Sequence, residues 1–131
     1  MNVKKCLMIG VVLGIVANVI DFIVQGTLLA GFYTGAPFRQ DTNMAWMVLG
    51  DFVAAFVFTW VYLKVAPAFA AGPVGGATMG FYAGVLVTFP ANIFLHLMIA
   101  NFPYGLSWIW TIYGIIWYVV LGAIAGAMNK K

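Results

Sequence analysis

Four stretches of this chain are each long and apolar enough to cross a lipid bilayer, and little of the chain is left over. A helix rising about 1.5 Å per residue needs about 20 mostly apolar residues to cross a hydrocarbon core of about 30 Å. The stretches run roughly from Leu7 to Ala30, Met44 to Ala66, Val74 to Ala100 and Ser107 to Met128. Between them, residues 31–43 (GFYTGAPFRQDTN), Pro67 to Pro73 and Asn101-Phe102-Pro103-Tyr104-Gly105 carry the glycine, proline and asparagine of loops and turns. Links this short set consecutive helices side by side and antiparallel. The expected fold is all-α: one transmembrane domain over residues 1–131, an antiparallel four-helix bundle with helices near 7–30, 44–66, 74–100 and 107–128.

Composition narrows the class further. Hydrophobic residues make up 65% of the chain and charged residues 7%, against about 25% charged in a soluble domain. A soluble domain of this size has too much surface to hide so much apolar side chain. Disordered and collagen-like chains are excluded on the same numbers. A single cysteine leaves neither an intrachain disulfide framework nor a paired-cysteine zinc site. The net charge of +3 comes mostly from lysines near the chain ends rather than from a basic face, so no nucleic-acid partner is expected. The partner the composition calls for is the bilayer.

Lys4 and Lys5 ahead of an apolar run imitate a signal peptide. The run is too long for a signal h-region and no small-x-small site follows it, so a retained first helix is expected. With four spans both ends of the chain share a side. Lys4, Lys5, Lys64, Lys130 and Lys131 fall on that side and Arg39, beside Asp41, on the other. The positive-inside rule then puts both termini in the cytoplasm of a multi-pass cell-membrane protein. Tyr33, Trp46, Tyr104 and Trp108 are read as the outer aromatic girdle, Trp60 and Tyr62 as the inner one.

The helix faces separate lipid from protein. At 100° per residue Gly10, Gly14, Asn18, Asp21 and Gln25 share an arc of about 80° on the first helix. On the third, Gly72, Gly76, Gly80 and Gly84 repeat at i, i+4 and are continued by Thr88, Asn92 and His96. The fourth carries Ser107, Thr111, Tyr118, Gly122 and Ala125, and Gly122 with Gly126 forms a small-xxx-small pair. Small residues at this spacing let backbones approach, within the bundle or between copies. These stripes exceed what one small bundle needs, so a homo-oligomer or a larger membrane complex is expected. Pro90 should kink the third helix.

Depth gathers the polar residues. By helical rise Asp21 lies about 13 Å, Asp51 about 10 Å, Asn92 about 12 Å and His96 about 6 Å below the outer ends of their helices, with Gln25 in the same layer. A carboxylate at that depth needs a partner or a proton. Asp21 is accordingly expected to be neutral, or to share a proton with Asp51 or His96, while Arg39 could reach in from its loop. No HExxH, GxSxG, CxxC or phosphate loop is present, and there is no glutamate. No enzyme activity, cofactor or metal is expected.

The expected role is a non-enzymatic accessory or assembly subunit packed against a membrane partner. The alternative is a proton- or cation-coupled small-solute transporter working as a homo-oligomer through Asp21, Asp51 and His96. Ala17-Asn18-Val19-Ile20 also resembles Ala91-Asn92-Ile93-Phe94, and Trp46 and Trp108 open the next helices. Two repeated hairpins would give this pattern, and so would shared membrane composition.

Overall fold

The computed structural model describes residues 2–129, and these form four long helices and no strand. They are α1 (Val3–Ile23), α2 (Met44–Val65), α3 (Pro73–Met98) and α4 (Tyr104–Met128). With their short extensions they give four spans long and apolar enough to cross a membrane: Val3–Leu28, Met44–Ala68, Pro73–Met98 and Tyr104–Met128. Lys130 and Lys131, which enter the orientation argument, lie outside the described residues.

Local chemistry sets the helix ends. The Asn2 side chain accepts a hydrogen bond from Lys5 N at 3.2 Å, and the Asn43 side chain from Ala45 N at 3.0 Å, each satisfying an N–H that the first helical turn leaves free. Pro73 opens α3 behind Gly72, which takes φ +82°, a value only glycine adopts readily. The last helix starts earlier than the sequence suggests. Pro103 has the extended backbone of an N-cap, and its carbonyl receives Leu106 N at 3.1 Å and Ser107 N at 3.3 Å. The turn is Ile99–Pro103, with Asn101 at φ +72°, while Tyr104 and Gly105 are already helical.

The end of α1 also departs from expectation. Its α-helix stops at Ile23, widens into a π-helical turn over Val24–Leu28 and tightens into a 3-10 turn over Ala30–Tyr33. Thr27 Oγ1 donates to the Phe22 carbonyl five residues back, at 3.5 Å, across this wider turn. Such bulges re-aim the side chains around them.

The helices associate in two tight pairs. On α1, Gly10 lies against the Phe56 ring and Gly14 against the Phe52 ring of α2. Gly72, just ahead of α3, meets Gly126, and on α3 Gly76 meets Gly122, Gly80 meets Tyr118 and Gly84 meets Ile115 of α4, largely backbone against backbone. In both pairs residue numbers rise along one helix as they fall along the other. Further along, Thr88 Oγ1 donates to its own-helix Gly84 carbonyl at 2.7 Å and to the Thr111 carbonyl of α4 at 3.3 Å. Thr59 and Thr111, both buried, donate to Ala55 O at 2.7 Å and Ser107 O at 2.8 Å, which lets their hydroxyls sit in apolar surroundings without waste.

A cluster of Ile9, Leu13, Ala17, Ala55, Phe58, Tyr62, Met79, Trp117, Leu121 and Ala125 joins the pairs. It occupies the half of the bundle nearer the α2–α3 turn. The other half is looser: every residue from Asp41 to Gly50 is exposed, as are Phe89, Pro90 and Ala91 on α3.

The glycine stripes are therefore used inside one chain, which removes them as a reason to expect self-association. They also differ in tolerance. The nearest atoms to a methyl at Gly14 belong to the Phe52 side chain rather than to backbone, whereas nothing lies within 4 Å of one at Gly50. Gly14→Ala should lower stability in detergent by about 1 kcal/mol, as mild overpacking does. Gly50→Ala, on an open helix face, should leave the unfolding midpoint unchanged or raise it.

Candidate functional site: an acid pair between α1, α2 and α4

Three helices converge on two carboxyls. Asp21 lies in the last α-helical turn of α1, just before the π turn, and Asp51 in the third turn of α2. Helical side chains lean toward their own N-terminus, so Asp21 leans toward the packed half of the bundle and Asp51 away from it. Their carboxyls lie close enough to interact. Both are only half-buried. From α4, the Tyr113 hydroxyl donates a hydrogen bond to Asp21.

A second polar group lies against the first at the end of the bundle away from the α2–α3 turn. The Tyr33 hydroxyl donates to Gln25 Oε1 of the π turn and accepts from Trp110 Nε1 of α4 at 2.7 Å. Gln40 of the long loop donates to the Tyr33 carbonyl at 2.8 Å and to the Phe38 carbonyl at 3.1 Å, holding the loop down. Four rings close over this group. Tyr33 and Phe38 have centroids 5.3 Å apart, Phe38 and Trp110 6.1 Å, Phe38 and Phe102 5.9 Å, and Phe102 and Trp110 5.5 Å. They pack edge-to-face, the arrangement that aromatic quadrupoles favour.

Burial pushes the Tyr33 phenol above its ordinary range; the Trp110 N–H opposes this in part, and the nearby Asp21 adds to it. A phenol whose folded value is raised stabilises the fold below the unfolded value, and that contribution is lost as pH rises through the alkaline range. Tyr33→Phe should therefore flatten the alkaline limb of a stability-against-pH curve measured in detergent. An unchanged limb would mean that Tyr33 is not the group responsible.

The residues singled out from sequence fare differently. Asp21 and Asp51 come together, and Gln25 joins the layer above them. Asn18 donates its amide to the Gly14 carbonyl of its own helix at 2.9 Å and bridges to no other helix. Asn92 is half-buried on α3 and takes no side-chain hydrogen bond among the described residues. His96 packs edge-on to Tyr104, ring centroids 4.8 Å apart, and its Nδ1 is buried without a hydrogen-bond partner among the described residues. It does not join the acids: no group of three His, Cys, Asp or Glu side chains able to hold a metal gathers among the described residues. Arg39 does not reach in either. It pairs with Asp41 at 3.1 Å with both side chains largely in solvent, where such a pair contributes little.

Tyr113, Tyr33 and Trp110 are the residues that sequence reading missed as site components. Depth could have found Tyr113, which lies nine residues into α4, about 13 Å by helical rise and so level with Asp21. Trp110 is one turn above it on the same face.

Chemically, the site offers two adjacent carboxyls, one phenolic donor and no basic side chain among the described residues near them. Two ionised carboxylates so placed repel each other, and a proton or a small cation between them removes that repulsion. Comparison of the chain with protein-family models, with curated proteins and with solved structures gives no match.

Proposed function

We propose that this chain is a small multi-pass membrane protein that binds and exchanges a proton or a small cation at Asp21 and Asp51, as the coupling step of small-solute transport by a homo-oligomer. What supports this reading is the proximity of Asp21 and Asp51, with no ion pair to a basic side chain at either among the described residues. Carboxyls within a span are costly, and pairs of them without a counter-ion are a recurrent means of taking up protons and cations. His96 drops out of the mechanism, because its surroundings are Tyr104 and the outer end of α3. Tyr113 takes its place as the group that orients Asp21.

In this reading the four helices form an antiparallel bundle across a cell membrane. The lysine-bearing end, with Lys4, Lys5 and Lys64, is cytoplasmic by the positive-inside rule. The acid pair then faces the outer half of the bilayer and communicates with the outside through the Tyr33–Gln25 layer. The test is flux through purified protein in liposomes under an imposed proton or sodium gradient, with Asp21→Asn and Asp51→Asn alongside. Gradient-driven flux that either variant abolishes supports the proposal. No flux above that of empty vesicles, or flux that both variants retain, overturns it.

A specific observation favours a second reading, an accessory subunit of a larger membrane complex. The outer half of α2 exposes apolar side chains on every face, with Met44 at 57%, Trp46 at 71%, Met47 at 50% and Leu49 at 49% exposure. A helix bare all round at an interface-forming depth suits a partner as well as lipid. Native mass spectrometry after gentle extraction separates the two: a homo-oligomer without companions fits the transporter, and co-purified larger subunits fit the accessory role.

A further inference from the structure

The bundle is held together differently at its two ends. Near the α2–α3 turn the two helix pairs share a packed apolar cluster, in which Ile9, Leu13, Ala55 and Leu121 are fully buried. Side chains packed in this way resist sliding past one another. Toward the acid pair the packing stops: no residue of α1 beyond Ala17 and none of α2 before Ala55 is buried. What joins the pairs there is polar and aromatic. Among the described residues only two side-chain hydrogen bonds cross from one pair to the other, Tyr113 to Asp21 and Trp110 to Tyr33, and both are at this end. Tyr33 and Phe38 are the only residues of the stretch 31–50 that are not exposed, so these two rings alone seat the loop. Phe38 packs on Phe102 and Trp110, and Tyr33 on Trp110 with ring centroids 6.0 Å apart. The loop is thus carried by the α1–α2 pair and rests on the α3–α4 pair. Beneath it, the Tyr33 hydroxyl is close enough to Asp21 to feel its charge.

We propose that Tyr33 and Phe38 form an aromatic gate over the acid pair, which opens when their rings leave Trp110 and Phe102 and the two helix pairs part at this end, hinging on the apolar cluster. The inference rests on the reading of Asp21 and Asp51 as an exchanging site and adds what controls access to it. Three features favour a moving gate over a fixed plug. A hinge needs rigid bodies joined firmly at one place and loosely at another; the glycine seams stiffen each pair, and the cluster joins them at one end only. The Tyr33 hydroxyl holds Gln25 of one pair and Trp110 of the other, so the withdrawal of one side chain releases both. The chain around Tyr33 is also free to turn. It follows the π turn of Val24–Leu28, a geometry that recurs at functional sites, and a methyl at Gly31 or Gly35 would meet nothing within 4 Å.

The experiment treats the full chain in lipid nanodiscs, where both faces meet water, with a water-soluble carbodiimide and glycine ethyl ester, and reads amidation at each aspartate by mass spectrometry. Asp41, its side chain 75% exposed, is the internal standard. In the parent, Asp21 and Asp51 should react about tenfold or more slowly than Asp41, since only the open fraction is attacked. Tyr33→Ala and Phe38→Ala should each speed reaction at Asp21 and Asp51 by about fivefold or more. Tyr33→Phe, which keeps the ring and loses its hydrogen bonds, should fall between them and the parent. Trp46→Ala, which removes a ring 71% exposed and outside the gate, should change nothing. Rates in the folded gate variants equal to the parent's overturn the proposal, as do parent acids that react as fast as Asp41. A second measurement bridges Phe38→Cys to Phe102→Cys, in a Cys6→Ala background, with a short reducible bis-maleimide. The bridge should stop gradient-driven exchange in liposomes, and reduction should restore it. Full exchange with the bridge in place overturns the gate and leaves the acid-pair reading standing. No exchange in the parent overturns the acid-pair reading instead, and the amidation rates still decide whether the two rings shield the carboxyls.

Discussion

Gly76→Ala is expected to unfold the α3–α4 pair, with a loss of about 3 kcal/mol or more and a matching fall in the thermal midpoint in detergent. Overpacking typically costs about 1–3 kcal/mol where side chains can yield. Here they cannot. A methyl at Gly76 falls on the Gly122 carbonyl, one at Gly122 falls on the Gly76 carbonyl, and one at Gly84 comes 2.8 Å from Ile115 Cα. The obstruction is helix backbone, so only separation of the helices relieves it, and separation forfeits the dispersion contacts of the whole seam. The same change at Gly10 or Gly14 meets phenylalanine rings and should be several-fold milder. A Gly76→Ala protein that melts with the parent would show that α3 and α4 do not meet along this ladder.

The second large effect concerns the acid pair. Asp21→Asn and Asp51→Asn should each reduce gradient-driven exchange by about 100-fold or more, and the double variant should be scarcely worse than either alone. Groups that act as a unit lose their function together, so their effects do not add. Assembly should survive, because asparagine keeps the hydrogen-bonding shape and removes a repulsive charge; the thermal midpoint of Asp51→Asn should equal or exceed that of the parent. Tyr113→Phe removes the hydrogen bond that orients the Asp21 carboxyl, a contact of about 1 kcal/mol, and should slow exchange by about 10-fold while leaving cation selectivity intact. Effects of the two asparagine variants that simply add would mean that Asp21 and Asp51 work at separate sites.

What the sequence makes legible divides along a physical line. Position along the membrane normal is encoded by counting, since each residue advances a helix by about 1.5 Å. Hence the four spans, the level of Asp21 and Asp51, and the small-residue faces are all readable from residues such as Gly76 and Asp21 alone. Rotation and neighbour choice are not encoded that way. His96 lies in the same layer as the acids, yet α3 is bound along its length to α4, and His96 ends beside Tyr104. Tyr113 hides among aromatic residues spread over all faces of α4, and nothing in its own spacing marks it as facing Asp21. The widened turn at Val24–Leu28 is a local accommodation by Gln25, Gly26 and Thr27 that a fixed 100° period misses. Likewise a glycine stripe announces a close contact without saying with what; it was the matching series at Gly122 and Gly126 that the chain itself supplied.

The seam between α3 and α4 also bears on the order in which the protein is made. Its contacts join helices separated by a turn of five residues, Ile99–Pro103, so little loop entropy opposes closure. Being mostly backbone, it immobilises few side-chain rotamers. Helices α3 and α4 can therefore lock together on their own. The earlier α1–α2 pair, held by phenylalanine rings against glycines, is left to dock onto a finished hairpin. Since Tyr113 belongs to that hairpin while Asp21 and Asp51 belong to its partner, the site comes into being only at the final docking step, and an incompletely assembled chain would carry two carboxyls without the phenol that organises them.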